Sequence, residues 1–584
     1  MPCAAAARRG YRPDALAGGT GRPERRRWGR RGRPCAARWL LAGAPAAWRA
    51  QEGHEEPEGL REHDEEDESE APAEPPSPAE PALHSGILRL EEPFFFGTAT
   101  AAYQIEGAAA EGGRKPSIWD DFSHLPRKTD GGATGDIACD HYHRFREDVE
   151  MMASLGVHAY RFSISWSRLI PDGEGEVNEE GARFYSDLVD ELLAHNITPW
   201  VTLYHWDLPS ALEAEFGGWL GPKERVTAAF GAYARACFEL LGDRVKHWVT
   251  LNEPWCCTML GYNSGEHAPG RSEGADREPY AAGHNMLLAH AEAARIYREE
   301  FSAEQGGQVG ITLNADWRQP RDAGCQEDVD AAIQAMDFSL GWFAGPVYDG
   351  DYPACMRCAC GDRLPTFTDE ERELLKGSSD FFGLNSYSSN MASPGRPRGP
   401  GYWEDIGVEW WHVDRGWERT DMGWPVVPWG FRELLLYIQR RYSPPGGIII
   451  TENGCACEPA LSAELDRQQG ASVPARPRRR ARARTDWSAE TYDDPERVRF
   501  FRAHLAAVHA ARAGGADVRG YFAWSLLDNF EWAYGYSKRF GIVRVDYATQ
   551  QRTIKASGRF LAATIRDGGF EAPAREEQYG GTPF

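Results

Sequence analysis

From Phe94 onward the apolar residues follow two alternating rhythms. Short unbroken runs of strand-forming residues are separated by longer stretches in which apolar positions recur every three to four residues. The runs predict strands over 94–101, 159–165, 198–204, 247–253, 308–314, 381–387, 448–452 and 518–526. The stretches between them predict helices over 141–155, 179–195, 223–241, 280–301, 329–338, 429–442 and 495–513, with a last one from about 557. In the first of these Phe145, Val149, Met152 and Leu155 share one face, and in the second Phe184, Leu188, Leu192 and Leu193 do. Continuous apolar strands, each followed by a helix, predict an α/β chain of the (β/α)8 TIM-barrel class, with a single catalytic domain over 87–570. An open doubly wound sheet would need a glycine-rich phosphate turn after an early strand, and no G-x-G-x-x-G stands there. Neither a G-x-x-x-x-G-K-[ST] loop nor an H-E-x-x-H helix occurs.

Residues 1–86 lack this rhythm. The first fifty are rich in Arg, Ala, Gly and Pro, and 51–82 in Glu, Pro and Ala, which predicts a disordered extension. Its Arg-rich, acid-poor start also resembles a targeting segment, although it is poor in Ser. Residues 571–584 read as a C-terminal tail. A net charge of -23 argues against a nucleic-acid partner, which would call for a basic face. No run approaches the roughly 18 apolar residues of a membrane span. The 12 cysteines form no regular framework. Cys355, Cys358 and Cys360 have a C-x-x-C-x-C spacing, but no second Cys/His pair follows closely, so no metal site is expected. They read as ordinary thiols, which favours a cytoplasmic or organellar location over a secreted one. The 21 tryptophans are a hint of sugar-stacking surfaces, although most should be core residues.

The candidate chemistry lies at two strand ends. Ile448-Ile-Ile-Thr-Glu-Asn-Gly454 runs from an apolar strand into a carboxylate, and its Asn-Gly pair predicts a sharp turn. His247-Trp-Val-Thr-Leu-Asn-Glu-Pro254 repeats the design, with Pro254 stopping the ladder. Glu452 and Glu253 would then sit at the C-terminal ends of strands seven and four, where barrels of this class carry their sites. A pair of catalytic carboxylates fits this placement; so does a pair of buried acids held by arginines for structural reasons. Trp255-Cys256-Cys257 adds no chemistry on this reading.

Seven segments together decide between the two. They are Gly97-Thr-Ala-Thr-Ala-Ala-Tyr-Gln-Ile-Glu-Gly107, Tyr160-Arg-Phe-Ser-Ile-Ser-Trp-Ser-Arg168, Tyr204-His-Trp-Asp-Leu-Pro209, Thr250-Leu-Asn-Glu-Pro254, Gly350-Asp-Tyr-Pro353, Thr451-Glu-Asn-Gly454 and Ser525-Leu-Leu-Asp-Asn-Phe-Glu-Trp532. In this order they resemble the family 1 glycoside hydrolases, the retaining β-glucosidases and their relatives, from about Phe94 to Phe560. The resemblance implies that Glu452 is the nucleophile and Glu253 the acid/base, with Arg161 supplying a cation to Glu452 and Tyr387 orienting it. It further implies that Gln104, His205, Asn252, Glu531 and Trp532 hold sugar hydroxyls and that Trp524 floors the pocket. In a retaining enzyme the two carboxyls would stand roughly 5 to 5.5 Å apart.

The implied activity is that of an exo-acting β-glucosidase, with β-galactosyl and β-fucosyl groups as further candidate glycones, working on a β-glucoside or oligosaccharide without cofactor or metal. An anionic Glu531 is expected to repel a 6-phosphate, which favours unphosphorylated sugars. A transglycosidase uses the same residues and stays open as an alternative. A catalytically silent sugar-binding protein is a weaker one, because both glutamates are present. The stretch 455–487, with an Arg run at 476–484, is longer and more basic than the family pattern and reads as a solvated insertion.

Overall fold

The computed structural model describes residues 86–395, 401–414, 416–457 and 492–574. The expected extension up to Ser85, the Arg run and the tail beyond Ala574 lie outside the described residues. Eight strands close a barrel: β1 Phe95–Ala99, β2 Ala159–Ser163, β3 Thr198–Tyr204, β4 His247–Asn252, β5 Gln308–Asn314, β6 Phe382–Asn385, β7 Ile448–Asn453 and β8 Val518–Trp524. Every neighbouring pair is parallel, and β8 joins β1 to complete the circle. Parallel strands need crossovers, which the helices supply on the outside.

Aromatic rings fill the barrel interior. Phe95, Trp200 and Phe522 pack with centroids 5.4–5.5 Å apart. Two strand glycines make this possible, since a Cβ on Gly97 would collide with the Phe522 ring and one on Gly520 with that of Phe95.

Several elements differ from the expectation. β6 ends two residues before Tyr387, whose backbone N–H turns away to Asp316 Oδ1 at 3.2 Å. The predicted helix over 329–338 is Gln326–Met336, and it continues through a π turn, Asp337–Gly341, into the helix Trp342–Asp349. Gly345 and Pro346 disguise that last helix as a loop, and burial of Trp342, Phe343 and Val347 stabilises it nevertheless. A three-stranded sheet is also new. Ser389–Pro394 pairs in parallel with Trp317–Pro320 and antiparallel with Val408–His412. Pro254, expected only to stop a strand, opens the helix Pro254–Gly261.

Buried ion pairs fasten the barrel's outer parts. A hairpin of Val543–Asp546 and Gln551–Ile554 is tied to the helix His141–Leu155 by Arg552. Its Nε donates to Asp148 Oδ1 at 2.9 Å, while His141 Nδ1 lies 2.8 Å from Oδ2. Lys555 pairs with Asp528 Oδ1 at 2.8 Å, both fully buried. Cys355, Cys358 and Cys360 lie along the helix Ala354–Cys360, and among the described residues no cluster of His, Cys, Asp or Glu could hold a metal. No described helix is long and apolar enough to cross a membrane.

Candidate active site

An open cavity occupies the C-terminal mouth. Strand ends supply most of its polar wall: Glu253 follows β4, Glu452 lies in β7 and Asn385 ends β6, and all three are buried. His205, Asn252, Tyr387, Trp524, Glu531 and Trp532 line the same space. Eight of the ten residues singled out in the sequence thus line the cavity. Arg161 stands behind the wall, and Gln104 does not line the cavity; its Nε2 donates to Asn529 Oδ1 at 3.0 Å and to the Phe530 carbonyl at 2.9 Å.

The two glutamates have unlike surroundings. Arg161 Nη1 donates to Glu452 Oε1 and the Tyr387 hydroxyl to Oε2, each at 2.6 Å. Burial raises the pKa of Glu452, while Arg161 and Tyr387 pull the other way by favouring the anion. Among the described residues Glu253 has no cation in contact. Burial, and next the charge of Glu452, push its carboxyl up to about 7. It accepts from Asn385 Nδ2 at 2.7 Å and from the Cys256 thiol on the following helix, so Cys256 is part of the site after all. The backbone at Glu253 is left-handed, φ 47°, a strained conformation for a non-glycine residue that aims the carboxyl into the mouth as the strand turns into the helix.

A chain of amides and rings fixes the neighbours. Asn252 Oδ1 accepts from Arg161 Nη2 at 2.7 Å and from Asn385 Nδ2 at 3.1 Å, so its Nδ2 must be the group 3.0 Å from His205 Nε2. That bond makes Nε2 an acceptor and leaves the proton on Nδ1, which has no partner among the described residues and is available to a ligand. Burial, then the positive charge of Arg161, hold the His205 pKa well below its usual value, which keeps the ring neutral. The ring stacks at 5.8 Å on Trp524 and at 5.9 Å on Trp532. Glu531 Oε2 and Trp424 Nε1 are also buried without a partner among the described residues. Burial, then the charges of Glu452 and Glu253, raise the Glu531 carboxyl to about 8. It therefore holds its proton near neutrality, which removes the expected charge repulsion of a phosphate. Gly454 makes no left-handed turn as Asn-Gly suggested; it is glycine because a Cβ there would collide with the Trp524 carbonyl.

Sequence reasoning missed Asn385, Trp424, Phe540 and the outer wall of Glu266, Asp316, Arg318 and Trp410. Asn385 had a signal, standing two residues before Tyr387 on one strand end. The others come from loops and short strands with no periodicity.

The arrangement can polarise a bond between two carboxyl groups of opposite protonation while aromatic faces and unpartnered polar groups grip a sugar. Residues 88–468 and 481–570 match the model for glycosyl hydrolase family 1. β-Glucosidase 1B of Phanerodontia chrysosporium is 47% identical over 492 residues, 81% of this chain and 85% of that one. β-Glucosidase 42 of Arabidopsis thaliana is 47% identical over 463 residues, 78% and 89% of the two chains. A rice β-glucosidase crystal structure superposes with a TM-score of 0.75 at 41% identity, covering 82% of this chain and 99% of that one. That of a Humicola insolens β-glucosidase in complex with glucose gives 0.74 at 42%, covering 82% and 98%. With a family match across the whole barrel, this chain belongs to glycosyl hydrolase family 1.

Proposed function

We propose that the protein is a retaining exo-β-glycosidase of the β-glucosidase type, acting on terminal unphosphorylated β-glucosyl groups by double displacement. One observation carries the reading: Glu452 is clamped by a cation and a phenol, whereas Glu253 lacks a contacting cation and has a pKa near 7. Ionised Glu452 attacks the anomeric carbon as Glu253 gives its proton to the departing glycosidic oxygen, and the C–O bond to the aglycone breaks. The glycosyl ester removes the negative charge of Glu452, so the neighbouring Glu253 is left an anion able to take a proton from water. That water attacks the same carbon and releases Glu452, restoring the β configuration. Relatives that carry the name β-glucosidase, one of them holding glucose, support the choice of glycone.

Discrimination against a 6-phosphate has a different basis from the one expected. Among the described residues lining the cavity Arg318 is the sole Lys or Arg, and its guanidinium lies over the Trp410 ring. A phosphate on the glycone would be buried beside three carboxyl groups with no cation to meet it. Incubation with a 2-deoxy-2-fluoro β-glucoside bearing a good leaving group, followed by peptide mass spectrometry, tests the reading. A fluoroglucosyl adduct is expected on Glu452; an adduct on Glu253, or none with turnover intact, would contradict it.

A further inference from the structure

Arg318 is a buried guanidinium with unused hydrogen-bonding capacity. Its side chain is 6% exposed, and neither Nε nor Nη1 has a hydrogen-bond partner among the described residues. The nearest acid, Asp316, stands 3.9 Å away, and its Oδ1 is taken by the backbone N–H groups of Tyr387 and Ser388. The guanidinium lies 4.3 Å from the centre of the Trp410 ring, which orients its plane. Trp410 in turn packs at 6.2 Å on Trp255, two residues beyond Glu253. This places Arg318 on the leaving-group side of the cavity. Asn314, at the end of β5, lines the same cavity with a buried Oδ1 that also lacks a partner.

Buried donors, and an acceptor lining the same cavity, are costly when left unpartnered and mark a place where a ligand completes the bonding. The ligand must both accept and donate. A carboxylate would serve Arg318 but face the Asn314 oxygen and the carboxyl groups of Glu253, Glu266 and Asp316, which line the cavity too. Vicinal hydroxyls serve both sides at once, and the indoles of Trp255 and Trp410 offer apolar surface to a ring.

Building on the β-glucosidase reading, we propose that Arg318, with Asn314 and Trp410, forms a subsite that selects a second sugar as the leaving group, binding its adjacent hydroxyls. Arg318 is then a specificity-determining residue for the aglycone. The full-length protein and its Arg318→Leu and Arg318→Lys variants are compared on a β-1,4-linked glucose disaccharide, p-nitrophenyl β-glucoside and p-carboxyphenyl β-glucoside. Arg318→Leu should lower kcat/KM for the disaccharide by about tenfold to a hundredfold, the worth of a charged hydrogen bond, and leave both aryl glucosides within about threefold. Arg318→Lys, which keeps the charge but loses the fork, should show a smaller loss confined to the disaccharide. Equal losses on all three substrates, or none, would overturn the proposal, and a loss confined to the carboxyphenyl glucoside would replace it with an anion site. Should Arg318→Leu fail to fold, the Arg318→Lys result decides alone. A wild-type protein inactive on every β-glucoside would instead refute the underlying reading, whereas an active one indifferent to Arg318 refutes only this inference.

Discussion

The cation beside Glu452 favours its anion, whereas burial first, and the charge of Glu452 second, keep a proton on Glu253. Two predictions belong to these residues. Because the working form of Glu253 is the protonated one, kcat/KM should fall as pH rises through about 7, approaching a tenfold drop per pH unit above it. A pH–rate profile flat to pH 9 would contradict the assignment. Replacing the glutamates separates their roles. Glu253→Ala with added azide should regain turnover as a β-glycosyl azide, and Glu452→Ala should be inactive until azide yields the α-azide; NMR of the products distinguishes them. Tyr387→Phe removes a hydrogen bond to a charged group and should lower kcat about tenfold to a hundredfold with the fold intact.

At the scale of elements, the eight strand runs and most helices could be read from periodicity, because the barrel strands are buried on both faces and helices such as Glu179–Ala194 on one. The catalytic pair was legible for the same reason: a carboxylate ending an unbroken apolar run stands out. The sheet carrying Arg318 and Trp410 was not, since its strands are four to six residues long and mix polar with apolar positions. Nor does spacing reveal Asn385's several hydrogen bonds, or that Gly454 answers to Trp524 seventy residues later.

The tie between hairpin and first long helix gives a stability test. Arg552→Ala would leave Asp148 buried beside His141 alone and should cost about 3–5 kcal/mol in denaturant unfolding. Asp148 has its pKa depressed to about 2, with burial outweighed by Arg552 and His141. Its ionised form therefore contributes stability above the unfolded value of about 3.9, and that contribution disappears as pH falls toward 2. In Arg552→Ala this acid-dependent loss should shrink.

For the whole molecule, the family match begins at residue 88 and the barrel's first strand at Phe95. A chain lacking residues 1–86 should keep kcat/KM on p-nitrophenyl β-glucoside within about twofold, because no described site residue precedes Gln104. An inactive or insoluble product would assign those residues a part in the fold. The mouth of the barrel gathers groups from strands remote in sequence, so the account as a whole rests on one geometric claim: Glu452 and Glu253 act on opposite sides of one bond in two successive inversions. The most direct test is to follow the anomeric configuration of glucose released from p-nitrophenyl β-glucoside by proton NMR during the first minutes of reaction. β-Glucose is expected first, with α-glucose growing only as mutarotation proceeds. Initial release of α-glucose would mean a single inversion and would contradict it.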